Sequence, residues 1–221
     1  MDSALNSGFW LSPQQRHAWT QQQDGGHGST CLVLIEGALS ADSVERGLRG
    51  LVARHEILRT VYRRQPGMKF PFQVVLESAD SSLEVVDLSS QSDSEQRNEL
   101  ERLLRNEQLR SSGPESGPVL VAKFAALGSD RSALILSLPA LSADLRSLEV
   151  LVRELGQIAT DTAAEGGEEP LRYVQFAQWQ NDLVEGADET SDKGREFWKN
   201  YADESHALAL PNELKPRSLR S

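Results

Sequence analysis

The chain has 221 residues and a formal net charge of −10, from 33 acidic and 23 basic side chains. This surplus of negative charge opposes phosphate backbones and anionic lipid surfaces, so neither nucleic acid nor a membrane is an expected partner. The single cysteine, Cys31, excludes an intramolecular disulfide and a cysteine metal cluster, and it fits a reducing cytoplasmic location.

The first predicted elements are a helix, a strand and a second helix. Residues 1–8 show no basic region and no long apolar run, so neither a signal peptide nor a transmembrane span is expected. Ser12 followed by Pro13 is typical of a helix start, because serine caps the first turn and proline fits the first helical position. Residues 31–35 form an apolar run of strand length, and Ser40 then caps the second helix.

The middle of the chain predicts a hairpin, a further strand and a charged helix. Residues 58–62 and 72–76 have the composition of neighbouring strands, and Pro66-Gly67 provides the turn between them. Residues 83–87 are a short strand candidate. The capping-box sequence that begins at Ser92 then opens a helix with a narrow apolar stripe.

Two strongly apolar segments, 119–127 and 132–138, predict central strands of a sheet. The second runs into a tight turn and then an amphipathic helix, which Ser142 is predicted to cap. Such junctions are where α/β folds often place their chemistry. Here Pro139 and Ala140 begin the turn, and neither side chain can accept or donate a proton.

The last quarter of the chain predicts an acidic loop at 165–170, two helices with aromatic residues, and an extended tail from Leu208 that is expected to be poorly ordered. The complete pattern has five or six strands, with helices between and after them. It therefore predicts an α/β sandwich with a mixed sheet that helices cover mainly on one face.

Two motifs near the amino terminus resemble those of the condensation domains of nonribosomal peptide synthetases. Residues 11–19, L-S-P-Q-Q-R-H-A-W, are similar to the family's opening motif S-x-A-Q-x-R-L-W, with Pro13 at the usual alanine and a variant spacing near the end. Residues 54–62, R-H-E-I-L-R-T-V-Y, match R-H-E-x-L-R-T-x-F at nearly every position. The second match is the strongest signal in the chain.

The strand–turn–helix junction lies where that family has its H-H-x-x-x-D-G motif. Pro139 and Ala140 occupy the two histidine positions, Asp144 matches the aspartate, and Leu145 replaces the glycine. The resemblance implies a chloramphenicol acetyltransferase-like α/β fold with two lobes. Residues 1–170 would form the N-terminal lobe, and residues 171–221 the helices and extended segment that lead toward a C-terminal lobe outside this chain.

The same resemblance implies what the domain would act on. In the family, the second motif histidine helps the acceptor amine attack the donor thioester, as a base or by positioning it. Ala140 can do neither. Heterocyclising relatives carry D-x-x-x-x-D instead, and Pro139 stands where its first aspartate would be. The resemblance implies substrates on phosphopantetheine arms, with no cofactor bound directly. The implied partners are peptidyl carrier protein domains, neighbouring synthetase modules and a tailoring enzyme supplied in trans.

Asp144 is interpreted as a structural residue, because the motif offers it no partner base. In the family this aspartate is held by the arginine that matches Arg59, so the resemblance implies an Arg59–Asp144 ion pair. A bidentate pair of that kind fixes geometry even where its net stabilisation is small.

The other nucleophilic or metal-binding side chains favour structural roles. His55 is expected to pack or hydrogen-bond at the end of its helix, where a cation is favoured. Ser142 lacks the basic neighbour that a nucleophile needs, and Cys31 is expected to be a small core residue. Three further histidines lie far apart in sequence and show no metal-binding spacing; they are His17, His27 and His206. No metal or cofactor site is predicted.

Three hypotheses about function remain. The leading one is a condensation-like lobe that has lost its acid–base residue and serves carrier-protein docking, module organisation or recruitment of a tailoring enzyme. The resemblance implies the last of these roles, because degenerate condensation-like domains that recruit oxygenases are known in the family. The second is an active condensation domain that forms an amide or ester bond by positioning, or with a group from the second lobe. The third is a free-standing acyltransferase-like lobe that works as a dimer.

Overall fold

The computed structural model describes residues 8–22, 28–109, 119–162, 170–186 and 189–204. Its compact units are Met1–Gln180 and Asn181–Ser221, so their boundary falls inside a helix. Most of the predicted loops at 24–29 and 165–170, the predicted helix end at 113–118 and the tail from Leu208 lie outside the described residues, as do His27 and His206.

The helices and strands follow the predicted order. The helices are α1 (Pro13–Gln22), α2 (Ala41–Arg54), α3 (Asp93–Gln108), α4 (Leu145–Ala159), α5 (Tyr173–Glu185) and α6 (Glu189–Glu204). The strands are β1 (Phe9–Trp10), β2 (Ser29–Glu36), β3 (Thr60–Arg63), β4 (Phe72–Val75), β5 (Ser82–Asp87), β6 (Val121–Ala126) and β7 (Arg131–Leu138). None of the described helices combines the length and hydropathy that crossing a membrane requires.

The main sheet has the strand order β2-β7-β6-β5. Strand β7 is antiparallel to both of its neighbours, whereas β5 is parallel to β6, so the sheet is mixed. The central position predicted for residues 132–138 is confirmed, and these residues are buried. Because both faces of β7 are covered, its sequence is a continuous apolar run without the alternation of a half-exposed strand.

The two faces of the sheet carry unequal cores. Leu134 and Leu136 of β7 belong to the larger cluster, which also contains Leu48 of α2 and Leu151 of α4. Ala133 faces the other way and belongs to a smaller cluster that includes Leu100 of α3. The sheet is thus covered mainly on one face, as predicted, with α3 adding a second layer on the other.

A second sheet of order β1-β4-β3 contains the predicted hairpin. Met68 donates its backbone N–H to the carbonyl of Gln65, and Gly67 has φ +85°. Pro66 and Gly67 therefore occupy the central positions of a turn that requires a positive φ at its second central residue.

The first strand of this hairpin begins later than predicted. Residues Glu56–Arg59 form a 3-10 helix, in which the N–H of Leu58 bonds to the carbonyl of His55, and β3 begins only at Thr60. The hydroxyl of Thr60 also bonds back to the carbonyl of Glu56 at 2.8 Å. These short-range bonds satisfy the backbone locally, which delays the start of the strand.

In the second unit, Arg195 of α6 bonds to the end of α5. Arg195 donates to the carbonyls of Val184 and Gly186 at 2.7 and 2.9 Å, and it pairs with Asp192. A cationic side chain on the last carbonyls of a helix satisfies groups that have no partner within it. The predicted aromatic residues of α6 are exposed and touch one another; they are Phe197, Trp198 and Tyr201.

Candidate functional site

The motif corner, residues 139–144, joins the buried end of β7 to the start of α4. The backbone N–H groups of Ser142 and Ala143 both donate to the carbonyl of Pro139, at 2.8 and 3.2 Å. Leu141 and Ala143 are buried, whereas Pro139 and Ala140 are half-buried. The corner is therefore a turn closed by backbone hydrogen bonds, with apolar side chains at its first two positions.

Two side chains from other motifs hold the outer end of this turn. The hydroxyl of Tyr62 donates to the carbonyl of Leu141 at 2.8 Å, and Nε2 of Gln15 donates to the same oxygen at 3.0 Å. Tyr62 also lies 3.2 Å from the hydroxyl of Ser142. Tyr62 and Gln15 are almost fully buried, with 1% and 3% of their surface exposed. All three motifs therefore meet at one carbonyl.

Gln15 connects this contact to the start of α1. Its side-chain carbonyl accepts the backbone N–H of Ser12 at 3.0 Å, and the hydroxyl of Ser12 accepts the N–H of Gln15 at 3.1 Å. This reciprocal pair is a capping box, and it confirms Ser12 as the cap of α1. Nε2 of Gln15 also donates to Oε1 of Gln73, whose own amide nitrogen donates to the carbonyl of Trp10.

The network ends at the start of α5. The hydroxyl of Tyr173 lies 2.9 Å from the hydroxyl of Ser12. Burial raises the pKa of Tyr62 and of Tyr173 above the usual tyrosine range, and the nearby carboxylate of Asp144 adds to the rise at Tyr173. Both phenols are therefore neutral at physiological pH and serve as hydrogen-bond partners, not as bases.

Asp144, and not Ser142, caps helix α4. The carboxylate of Asp144 accepts the backbone N–H of Ser147 at 2.8 Å and its hydroxyl at 2.7 Å, and the N–H of Asp144 bonds to that hydroxyl. The hydrogen bonds to its carboxylate lower the pKa of Asp144, and the bond from the Ser147 hydroxyl has the largest effect. The prediction of Ser142 as the cap is wrong, because residues 139–143 form the turn on Pro139 and α4 begins only at Leu145.

The predicted Arg59–Asp144 ion pair is not formed. Nη1 of Arg59 donates to the carbonyl of Leu76 at 2.6 Å, whereas the Asp144 carboxylate is bonded within its own helix start. Among the ion pairs of the described residues, neither side chain has the other as its partner. The capping box of Asp144 and Ser147 satisfies the carboxylate with residues of its own helix start, so Asp144 does not need Arg59 as a partner.

Replacing Asp144 by alanine is expected to lower the free energy of unfolding by about 1 kcal/mol at pH 7, because the cap of α4 is lost. Ser142→Ala is the matched control and should cost less. Since the pKa of Asp144 is lowered in the folded chain, its contribution is complete above the ordinary carboxyl pKa of about 3.9 and is lost as the pH falls. Urea unfolding at pH 7 and pH 3 measures this; a larger loss for Ser142→Ala would contradict the assignment.

The remaining candidate residues lie away from the corner. His55 ends α2, and its Nε2 is 2.6 Å from Oε2 of Glu154, as expected for a hydrogen-bonded residue at a helix end. His17 is exposed on α1. Within the described ranges, no group of three or more histidine, cysteine or acidic side chains is arranged to hold a metal ion.

Cys31 lies on β2, an edge strand, and is partly buried against the larger core. The predicted core packing is therefore only partial. Burial raises the pKa of its thiol, with a backbone hydrogen bond opposing the shift. A raised pKa leaves little thiolate at neutral pH, so Cys31 does not have the properties of an activated nucleophile.

Sequence reasoning identified Gln15 and Tyr62 only as motif members, and it missed the contacts that they make. One signal was present. Gln73 is a polar residue between apolar neighbours in a predicted strand, and such a residue needs a buried partner. The partner came from a motif 58 residues away, which no local pattern reveals.

The mixed sheet, the central strand β7 and the corner before α4 define a lobe of the chloramphenicol acetyltransferase-like class. The family model of the condensation domain matches residues 8–221, and the chain belongs to the condensation-domain family of nonribosomal peptide synthetases. Gramicidin S synthase 2 from Brevibacillus brevis is 29% identical over 213 residues, which cover 95% of this chain and 4% of that protein.

Solved structures show the same fold. SgcC5 from Streptomyces globisporus has a TM-score of 0.77 at 22% identity, over 90% of this chain and 47% of that one. The X-domain in its complex with OxyB, from teicoplanin biosynthesis, has a TM-score of 0.74 at 21% identity, over 95% of this chain and 47% of that one. The chain thus spans about half the length of these two solved chains.

Proposed function

We propose that this chain is the N-terminal lobe of a condensation-like domain that does not use histidine-assisted catalysis. The observation that supports this most is the corner itself. Pro139 and Ala140 stand at the two positions where the family places its histidines, and neither has a side chain that can move a proton. Tyr62 and Gln15, which hold the corner, cannot substitute, because they are buried and engaged with each other and with the backbone. The carboxylate of Asp144 is engaged in the cap of α4.

The proposed role of the lobe is binding. The network that joins the three motifs holds the corner in place, so what remains there is a folded surface whose two histidine positions carry no acid–base group. The X-domain of teicoplanin biosynthesis, which has this fold, forms a complex with OxyB. By analogy, we propose that the domain docks peptidyl carrier proteins, keeps neighbouring modules in register or recruits a tailoring enzyme in trans, with substrates held on phosphopantetheine arms.

Family membership supports one alternative. A condensation domain of which this chain is part could still form an amide or ester bond, because holding the two reactants in place lowers the barrier without any proton transfer. In that case the corner would only shape the site, and the rate would depend on groups outside this lobe.

The binding role predicts saturable, micromolar association with a carrier domain of the synthetase to which the chain belongs. Calorimetric titration of the purified chain with each loaded and unloaded carrier domain measures this. Ala140→His is the matched control, because the side chain at that position is half-buried in the corner, and it should bind with unchanged affinity. If neither carrier domains nor the candidate tailoring enzymes of the same assembly bind up to about 1 mM, which corresponds to roughly 4 kcal/mol of binding free energy, docking is refuted.

A further inference from the structure

Arg59, one member of the predicted ion pair, keeps unused hydrogen-bonding capacity. It ends the 3-10 helix, is partly buried, and makes one hydrogen bond, from Nη1 to the carbonyl of Leu76. A guanidinium group has five N–H donors in a planar fork that matches oxyanions. Most of the donors of Arg59 are therefore available to an acceptor that the described residues do not supply.

Arg59 lines a cavity of about 110 Å³. Its charged lining has three guanidinium groups and one carboxylate, with an imidazole beside them; these are Arg54, Arg59, Arg172, Glu56 and His55. The carboxylate is neutralised from one side, because Nε of Arg172 lies 2.7 Å from Oε2 of Glu56. Outside the lining, Glu154 bonds to His55 and lies 3.7 Å from Nε of Arg54. The cavity is cationic within an acidic protein.

A second cavity, of about 470 Å³, shares Arg59 and has the opposite character. Its lining contains Glu45, Glu77 and Asp80 against Arg49 and Arg59, and Arg49 is already paired with Glu45. An anion that approaches Arg59 is therefore favoured only on the side of the smaller cavity.

Glu56 adds a requirement for a hydrogen-bond donor. Its Oε1 is buried and has no partner among the described residues. Water cannot easily replace that partner, because only 8% of the side chain is exposed. A buried carboxylate oxygen without a donor is costly. A ligand that suits both Arg59 and Glu56 must therefore accept hydrogen bonds with several oxygens and donate one.

We propose that this cavity binds a protonated phosphate group, with Arg59 as the main contact. The oxygens of phosphate accept from the guanidinium fork, and its P–OH group donates to Oε1 of Glu56. Sulfate has the same shape but carries no proton at neutral pH, so the site should discriminate between the two anions. The volume equals that of almost four waters, which is enough for one such group. This inference is independent of the binding role proposed above.

The test is thermal unfolding of the full chain in sodium phosphate, sodium sulfate or sodium chloride at matched ionic strength and pH 7. Phosphate and sulfate both stabilise proteins generally, so sulfate is the necessary control. Phosphate at tenfold its Kd should favour the folded state about tenfold, which raises the Tm by about 3–5 °C beyond sulfate. Glycerol 3-phosphate is the comparison for the P–OH group: its second pKa is about 6, so at pH 7 it has mostly lost that proton and should stabilise the chain less than inorganic phosphate.

Arg59→Gln should abolish the difference between phosphate and sulfate, whereas Arg146→Gln should keep it, because the Arg146 side chain is 86% exposed and remote from the cavity. If Arg59→Gln does not fold, saturable broadening of the ³¹P resonance of phosphate by the native chain, which excess sulfate does not remove, gives the answer. Equal effects of phosphate and sulfate on the native chain, or a phosphate effect that persists in Arg59→Gln, would overturn the proposal.

Discussion

Replacing Gln15 by leucine is expected to lower the free energy of unfolding by about 3 kcal/mol. Gln15 supplies a partner to the backbone N–H of Ser12, to Oε1 of Gln73 and to the carbonyl of Leu141. The leucine leaves the first two without a partner in a buried region, at a cost of about 1–3 kcal/mol each, and its own apolar burial recovers a part. The carbonyl of Leu141 keeps its bond from Tyr62.

Urea unfolding of the purified chain measures this loss, and a thermal scan should show a fall in Tm of about 6–12 °C. Gln14→Leu is the matched control, because Gln14 is the exposed neighbour of Gln15 on the same helix. It should change stability by less than about 0.5 kcal/mol. Equal losses for the two variants would show that the buried network does not stabilise the corner.

Much of the fold could be predicted because its determinants are local or periodic. The caps Ser40 and Ser92 each accept a backbone N–H three residues on, as their sequence context indicated. The apolar run that ends at Leu138 could be placed at the centre of the sheet because a strand covered on both faces has no polar alternation.

The wrong predictions concern residues for which two alternative hydrogen-bonding arrangements are possible. Ser142 and Asp144 are both good helix caps and stand two residues apart, and only the turn on the carbonyl of Pro139 decides between them. The Arg59–Asp144 pair was inferred from the family pattern, and the sequence alone could not reveal that Ser147 satisfies the aspartate first.

The sequence predicted where the site lies in the chain, but not which side chains contact it. The motifs placed Pro139 and Ala140 at the corner, and the structure adds the reason why the corner keeps its shape without histidines. Gln15 and Tyr62 reach its backbone from 126 and 79 residues away along the chain. Contacts between residues so far apart in the chain produce no periodic pattern in the sequence, so only the tertiary structure reveals them.

The central claim is that this lobe supplies no acid–base group to condensation, and the pre-steady-state rate of amide formation tests it most directly. The synthetase that contains the chain is assembled with loaded donor and acceptor carrier proteins, and product is followed in a single turnover with the domain present and deleted. General acid–base help is typically worth 10²- to 10⁴-fold, so the two rates should agree within about tenfold.

The rate should also lack an inflection near the ordinary histidine pKa of about 6.5, since Pro139 and Ala140 do not titrate. Ala140→Ser, which changes the same position without adding a base, is the control and should leave the rate unchanged. Amide formation that is at least 10²-fold faster with the domain present, and that rises through a titration near pH 6.5, would contradict the account.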